Sequence, residues 1–185
     1  MDASTQVRDL VRAAAAGDPR GWDGLVERFA PLVWSTARAH GLSPGEAADA
    51  AQTAWLQLAE RLDRFQDDQD RVGEWLAATA RRESRRTLGA ARGPGPGAPA
   101  AAGAGAAPAG EPEREALLWR IVRDLSEHCR RILRLLTTVP PPSHREVAAA
   151  LGLRVAQVQP ARATCLQEFR RRMADIGIKT TAGDS

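Results

Sequence analysis

The stretch SHREVAAALGLRVAQVQPARATCL, residues 143–166, decides the fold predicted for the second half of this chain. Ser143 and Glu146 have the spacing of a helix capping box, and the apolar run 147–151 follows them. Gly152 stands where a helix end favours a left-handed residue, and a longer helix follows it. A short helix, a glycine turn and a longer helix are typical of a helix-turn-helix, whose second helix enters the major groove of DNA. Many small helical bundles also contain glycine-joined helix pairs, so the pattern favours DNA binding without deciding it.

The sequence on both sides of this stretch is also helical. The last helix is predicted from about Val155 to Met173, with Pro160 in its first turns. Upstream, Pro112 begins a helix that Ser126 restarts, and the three prolines 140–142 end it. This half therefore consists of helices alone.

The first half shows the same signals. Asp18 and Pro19 begin a helix that Pro31 is expected to kink or split, and Gly41 ends it. Ser43 to Glu46 form a second capping box that begins another helix. Two faces are predicted for that helix. Asp49, Gln52 and Leu56 form a mixed polar face. The other face is an apolar stripe of Ala48, Ala51, Trp55, Leu58 and Leu62. A further helix from about Val72 to Leu88 gathers arginines near its end: Arg81, Arg82, Arg85 and Arg86.

A segment of almost only Gly, Ala and Pro separates the two halves. Residues 89–112 hold no large apolar side chain that could offset chain entropy, so they are predicted to be a flexible linker. The predicted organisation is all-α: a helical domain over 1–88, the linker, a helix-turn-helix domain over 113–178 and a tail over 179–185. Fully extended, the linker reaches about 80 Å, whereas a relaxed coil of this length averages about 25 to 30 Å.

Charge divides unevenly between the two halves. Residues 1–88 carry 12 Arg and 14 acidic residues, whereas residues 113–178 carry 12 Arg and 7 acidic residues. The net charges are therefore −2 and +5, within a total of +3 for the chain. The second domain is the expected binder of a polyanion.

Several classes of protein are disfavoured by composition. No run of about 18 apolar residues is present, and no secretory signal begins the chain, so a cytoplasmic protein without membrane insertion is expected. Cys129 and Cys165 are expected to be two small buried thiols, and His40, His128 and His144 to be structural, with no metal site. No catalytic motif is found, so we expect neither an enzyme nor a cofactor.

Two blocks of sequence carry a family resemblance. The first block resembles region two of bacterial RNA polymerase sigma factors: EAADAAQTAWL at 46–56, LDRF at 62–65 and WLAATARR at 75–82. The second resembles region four: CRRILRLL at 129–136, PPSHREVAAALGL at 141–153 and VQPAR at 158–162. With only a linker between them, the chain is similar to the small extracytoplasmic-function (ECF) class. Its Arg- and Ala-rich composition suggests an actinobacterial member.

The resemblance implies partners and site residues. The helix bearing Asp49, Gln52, Trp55 and Leu56 is implied to dock on core RNA polymerase. The stretch from Phe65 to Arg86 is implied to melt the promoter at its minus-ten element, with Arg82, Arg85 and Arg86 as candidates for strand contact and Trp75 as a core residue. The linker is implied to thread the polymerase near the RNA exit path.

Recognition of the minus-thirty-five element is implied for the last helix. Its candidate base contacts are Gln157, Gln159 and Arg162, because Arg can bind guanine and Gln can bind adenine through two hydrogen bonds. Arg145 is a candidate for phosphate contact or a solvated charge. Arg154 stands where relatives often have a Ser or Thr cap.

The predicted function is that of a sigma factor, which directs promoter recognition and transcription initiation by core RNA polymerase at promoter DNA. An anti-sigma factor as a further partner is left open. Two alternatives stay open as well: a stand-alone helix-turn-helix transcriptional regulator, and a helical adaptor that binds no DNA.

Overall fold

Every regular element of the described chain is a helix, which confirms the all-α prediction. The structure is a computed structural model that describes residues 3–65, 68, 71–91 and 120–175. The helices of the first half are α1 (Ala3–Ala15), α2 (Pro19–Ala39), α3 (Pro44–Ala59), a 3-10 turn (Leu62–Phe65) and α4 (Val72–Ala91). Those of the second half are α5, described over 120–124, α6 (Glu127–Leu136), α7 (His144–Leu151) and α8 (Val155–Asp175).

Side-chain caps explain where several of these helices begin. The Asp18 carboxylate accepts a hydrogen bond from the amide of Arg20 at the start of α2. Complete capping boxes begin α3 and α7: Ser43 with Glu46, and Ser143 with Glu146. Each box satisfies backbone amides that have no partner within the helix.

Two features of the first half add to the sequence-based expectations. Of the kink or split expected at Pro31, the split does not occur, because α2 runs from Pro19 to Ala39 with the proline inside it. The packing of α2 on four other helices outweighs the one backbone hydrogen bond that a proline removes. Helix α1 was not predicted, although Val7, Leu10 and Val11 have helical spacing and pack on the core.

The buried face of α3 is shifted from the predicted stripe. Its buried residues are Ala47, Ala50, Ala54 and Leu58, whereas Ala48 is exposed and Ala51 and Trp55 are half-buried. The prediction placed Ala48 in the core because six alanines in this helix give hydropathy little contrast. Neighbouring helices, rather than the alanine pattern, decide which face of α3 is buried.

Most of the predicted linker and all of the predicted tail lie outside the described residues. Helix α4 continues to Ala91, three residues beyond its predicted end at Leu88 and into the predicted linker. Ala90 and Ala91 favour this extension because alanine has the highest helix propensity. Residues 92–112 and the tail 179–185 are not among the described residues, and neither is the predicted helix start at Pro112.

One apolar core joins the two halves of the chain. Buried side chains of the first half, such as Leu25, Phe29 and Leu76, share a cluster with Leu135, Val147 and other residues of the second half. The main connection is the packing of α7 against α4, and α6 packs against α2. The two halves are therefore docked on each other.

A second core lies within the second half, and it corrects the expectation of two free thiols. Cys129 of α6 and Cys165 of α8 form a disulfide between Cα atoms 5.0 Å apart, amid Leu125 and Ile132. The cysteines are 36 residues apart in sequence, and composition alone could not show that folding places them in contact. In the chain-entropy picture a loop of this size stabilises the folded state by about 4 kcal/mol.

The capping boxes generate a stability prediction. Ser43→Ala and Ser143→Ala should each lower the free energy of unfolding by about 1 kcal/mol, because each removes the acceptor of a helix N-terminal amide. Chemical denaturation followed by circular dichroism measures the change. Thr164→Ala is the control, since this exposed hydroxyl only contacts the Pro160 carbonyl of its own helix, and it should change stability by less than about 0.5 kcal/mol. Equal stability of all three variants and the parent would show that the caps do not hold these helices.

Candidate functional site

One face of α3 presents the predicted docking residues to solvent. Asp49, Gln52 and Leu56 are exposed, and their spacing of three and four residues puts them on one side of the helix. Leu56 is 60% exposed, which is unusual for a leucine beside a core. The face is thus an apolar centre beside a carboxylate and an amide, suited to the surface of another protein.

Trp55 has a different environment from its neighbours. Its ring packs edge to face on Trp22 of α2 with centroids 5.9 Å apart, and it is half-buried against the main core. Trp55 therefore links the exposed face to the core, whereas Asp49, Gln52 and Leu56 carry the accessible surface.

The predicted strand-contact arginines lie at the second half of α4, and two of them are paired. Arg82 and Arg86 each lie within 4.0 Å of the Glu83 carboxylate, and Gln57 of α3 donates a hydrogen bond to it. Arg82 also donates to Thr79 and, at 3.4 Å, to Gln57. The Arg85 side chain is exposed. Sequence reasoning missed Glu83, although its spacing of three residues from Arg86 is a helical ion-pair signal.

An open cavity of about 360 Å³ lies at the junction of the two halves. Phe65 and Trp75 line it and pack edge to face with centroids 5.7 Å apart. Arg64 and Arg71 line it as well, and the guanidinium of Arg61 lies over the Trp75 ring. Trp75 is half-buried against the main core, so it serves the core and the cavity wall together.

The predicted recognition residues lie on α8. All three candidates are exposed. Gln157 accepts a hydrogen bond from the Arg154 amide, as the third residue of a helix does in a capping box. Gln159 lies 3.1 Å from the His144 imidazole of α7. Gln157 therefore stabilises the start of its own helix, and Gln159 contacts α7, one turn before Arg162.

Arg145 is placed at the contact between the halves. Its guanidinium lies 3.6 Å from the Glu74 carboxylate of α4, in a pair that is largely exposed to solvent. Arg145, a candidate for phosphate contact, therefore lies beside α4 and not beside the exposed recognition residues of α8. Glu74 was not singled out in the sequence, since nothing local marks a partner 71 residues away.

Three positions on α4 meet three positions on α7 in the same order. Glu74 pairs with Arg145, Ala78 and Ala149 line the cavity together, and Arg81 lies against Gly152. The spacings are four and three residues on both helices, so the helices run side by side in parallel. Gly152 has φ +71°, and a Cβ there would collide with the Arg81 guanidinium. The turn between α7 and α8 therefore packs directly against the Arg81 guanidinium.

One polar atom of the Arg81 side chain lacks a hydrogen bond in this contact. Its Nε is buried and has no hydrogen-bond partner within the part of the chain that the structure describes. A buried unpaired donor costs about 1 to 3 kcal/mol. The contact between the halves therefore includes one polar group that packing leaves without a partner.

His40 borders the contact at the C-terminal end of α7, near Arg81. This residue caps the end of α2, and its Nε2–H donates to the carbonyl of Ala150 on α7 at 2.9 Å. Burial lowers the pKa of His40, and the positive charges of Arg131, Arg81 and Arg85 act in the same direction, against the opposing effect of the hydrogen bond. The neutral imidazole therefore holds α7. Sequence reasoning treated His40 as structural but had no signal for this partner.

No metal-binding group of three or more His, Cys, Asp or Glu side chains is found within residues 3–65, 68, 71–91 and 120–175. In the same ranges, none of the helices combines the length and the apolar character that crossing a membrane requires.

The comparison with known families finds a match over the segment that carries the α3 and α4 surfaces. Residues 25–93 match the family model of Sigma-70 region 2. The matched segment contains the exposed face of α3, the cavity aromatics and the α4 arginines. No curated protein matches the chain in sequence.

A solved structure shares the fold over both halves. The structure of CnrH in complex with the cytosolic domain of CnrY matches with a TM-score of 0.59 and 23% identity. The match covers 93% of this chain and 99% of that one. The likeness therefore includes the helices that follow the Sigma-70 region 2 segment.

The His40 contact generates a pH prediction. The folded state holds a lowered His40 pKa, so below about pH 6.5 the unfolded state takes up a proton that the folded state does not. The free energy of unfolding should thus be highest above that pH and decrease between pH 6.5 and 5.5. Thermal unfolding at stepped pH measures this slope.

Two variants assign the slope to one histidine. His40→Gln keeps an N–H donor without the titration, so it should flatten the slope. His144→Gln, at an exposed histidine, should retain it. An unchanged slope in His40→Gln would show that the Ala150 contact does not respond to protonation.

Proposed function

We propose that this chain is a sigma factor of the extracytoplasmic-function class, which binds core RNA polymerase and directs it to promoters. The observation that carries the proposal is the match of residues 25–93 to Sigma-70 region 2, together with the exposed face of α3 inside that segment. A match to this region favours a polymerase subunit over a stand-alone DNA-binding regulator.

The α3 face is the proposed polymerase-docking surface. Leu56 supplies an exposed apolar anchor, and Asp49 and Gln52 beside it supply polar specificity. Interfaces draw their energy from a few such anchors surrounded by polar contacts. Trp55 contributes by holding this face on α2 through Trp22.

The α4 surface is the proposed site of minus-ten strand contact. Single-stranded nucleic acid is bound by cations that follow the backbone and by aromatic rings that stack on bases. Arg85 is exposed, and Arg82 and Arg86 share one carboxylate, so this surface keeps a net positive charge. Phosphates compete with Glu83 for these two arginines when DNA arrives.

The α8 surface is the proposed reader of the minus-thirty-five element. Gln159 and Arg162 are exposed, three residues apart, on the second helix of the helix-turn-helix. Such residues reach base edges when this helix lies in the major groove. Gln157 acts there by capping the helix, and Arg145 becomes available for phosphate only when it leaves Glu74.

Promoter binding then requires the two halves to separate. A compact chain of 185 residues has a radius of gyration of about 16 Å, and a sphere with that radius of gyration is about 40 Å across. Two promoter elements about two helical turns apart are separated by about 70 Å. The predicted linker, with a maximum reach of about 80 Å, can span this distance.

Regulation by a second protein is part of the proposal. CnrH is described in complex with the cytosolic domain of CnrY, and it shares the fold of this chain over both halves. This supports binding of an anti-sigma factor. The reaction chemistry of transcription belongs to the polymerase, so the chain itself acts as a non-enzymatic subunit.

The test is run-off transcription with actinobacterial core polymerase, the purified chain and fragmented genomic DNA. New start sites should appear only when the chain is added. The variant with Asp49→Arg and Gln52→Arg should reduce these transcripts by at least about tenfold, because misplaced charge at a docking face costs more than the 1.4 kcal/mol that a factor of ten represents.

The matched control places the same charge change on another exposed helix face. Gln6→Arg with Asp9→Arg on α1 has the same residue types and spacing, and it should leave the transcripts unchanged. A footprint by the chain alone without transcripts would indicate a stand-alone regulator. The absence of both footprint and transcripts would indicate an adaptor.

A further inference from the structure

The disulfide connects the two helices that hold the recognition surface in place. Cys129 lies in the first turn of α6, and Cys165 lies one turn after the exposed Arg162 of α8. Helix α7 and the glycine turn lie within the 36-residue loop that the bond closes. The closed loop therefore contains α7, the glycine turn and the first half of α8.

A polar contact lies one turn away from the disulfide. The Ser126 amide donates to the Glu168 carboxylate at 2.9 Å, and the Ser126 hydroxyl donates to its second oxygen at 3.2 Å. Ser126 and Cys129 are three residues apart on one helix, and Cys165 and Glu168 are three apart on the other. One covalent contact and one polar contact thus hold α8 on α6, and the polar contact is exposed to solvent.

The position of Cys129 favours thiol chemistry when the bond is reduced. Its amide donates to the Ser126 hydroxyl that caps α6, so the sulfur lies at the helix N-terminus. The partial positive charge there favours a thiolate, which is the reactive form in oxidation and in exchange. Cys165 lies in the middle of α8, within bonding distance of Cys129.

We propose that Cys129 and Cys165 form a reversible redox site that controls how firmly the recognition helix is held on α6. The disulfide form fixes α8, and the dithiol form leaves it held by Ser126–Glu168 and apolar packing alone. If the proposed function holds, the chain works beside DNA and polymerase, where thiols are kept reduced and disulfides are redox-sensing. Oxidation then promotes reading of the minus-thirty-five element.

The chemistry balances with a peroxide as oxidant. The Cys129 thiolate attacks a peroxide oxygen, the O–O bond breaks, and a sulfenic acid forms while the leaving oxygen takes a proton. The Cys165 thiol then attacks the sulfenic sulfur, the S–S bond forms and water leaves. Two electrons pass from the two thiols to the peroxide.

The reverse reaction uses a dithiol as reductant. One thiolate of the dithiol attacks one sulfur of the protein disulfide, which gives a mixed disulfide and frees the other cysteine. The second thiol of the reductant then closes its own disulfide and frees the remaining cysteine. Both cysteines are at most 3% exposed, so exchange requires local opening of this small core.

The experiment treats the full-length chain with hydrogen peroxide or with dithiothreitol and counts free thiols by mass after alkylation. Hydrogen exchange of the α8 amides and the thermal midpoint are measured in both states. Reduction should expose two thiols, speed exchange along α8 and lower the midpoint by about 8 to 16 °C. Renewed oxidation with hydrogen peroxide should restore the thiol count, the exchange rates of the α8 amides and the thermal midpoint.

Two variants separate the redox effect from general loss of stability. The double variant Cys129→Val with Cys165→Ala fills the core without a bond, so its exchange and midpoint should not respond to dithiothreitol. Ile132→Val weakens the same core but keeps both cysteines, so it should retain the response. Equal exchange of the α8 amides in the oxidised and reduced parent would overturn the redox site.

Run-off transcription with core polymerase distinguishes this inference from the proposed function. Severalfold more transcript from the oxidised parent than from the reduced parent, with no difference in the double variant, supports the redox control of promoter reading. Equal transcript from both states overturns that control. Absence of transcript in both states contradicts the proposed function, and the α8 exchange data still decide the redox site.

Discussion

The packing of α7 on α4 is the contact on which the whole arrangement depends. It joins the helix that carries the predicted strand-contact arginines to the first helix of the helix-turn-helix. Apolar side chains from both halves form one core around it, and the pair Glu74–Arg145 and the bond from His40 to Ala150 border it. The buried but unpaired Nε of Arg81 lies within the same contact, so the contact combines strong apolar packing with a polar cost.

Charge is partly neutralised in the docked chain. Glu83 balances Arg82 and Arg86, and Glu74 balances Arg145. The three arginines are largely exposed, whereas Glu83 is buried and Glu74 is partly buried. A phosphate backbone can therefore reach the arginines, at the cost of leaving Glu83 with the hydrogen bond from Gln57 alone. Under the proposed function, the acidic partners moderate nucleic-acid binding until the polymerase brings both surfaces to a promoter.

Local signals in the sequence predicted much of the fold. The serine and glutamate pairs at Ser43 and Ser143 predicted two helix starts, and Gly152 predicted the turn between α7 and α8, because caps and left-handed turns depend on neighbouring residues. At Pro31, where a kink or a split was expected, no split occurs, because tertiary packing of α2 outweighs a local penalty. The disulfide and the docking of α7 on α4 were not predicted, since both join residues far apart in sequence. Of the candidate site, the exposed face of α3 and Gln159 with Arg162 could be anticipated, whereas the partners Glu74, Glu83 and Ala150 could not.

The most direct test of the account is the distance between the two halves in the free chain and in a promoter complex. Dyes on azide-bearing residues at Gln6 of α1 and Gln167 of α8, both exposed, leave Cys129 and Cys165 unmodified. Single-molecule energy transfer should be high in the free chain and should fall when core polymerase and promoter DNA are added, because the two halves then bind separate elements. High transfer that persists in an active promoter complex would contradict the requirement for separation.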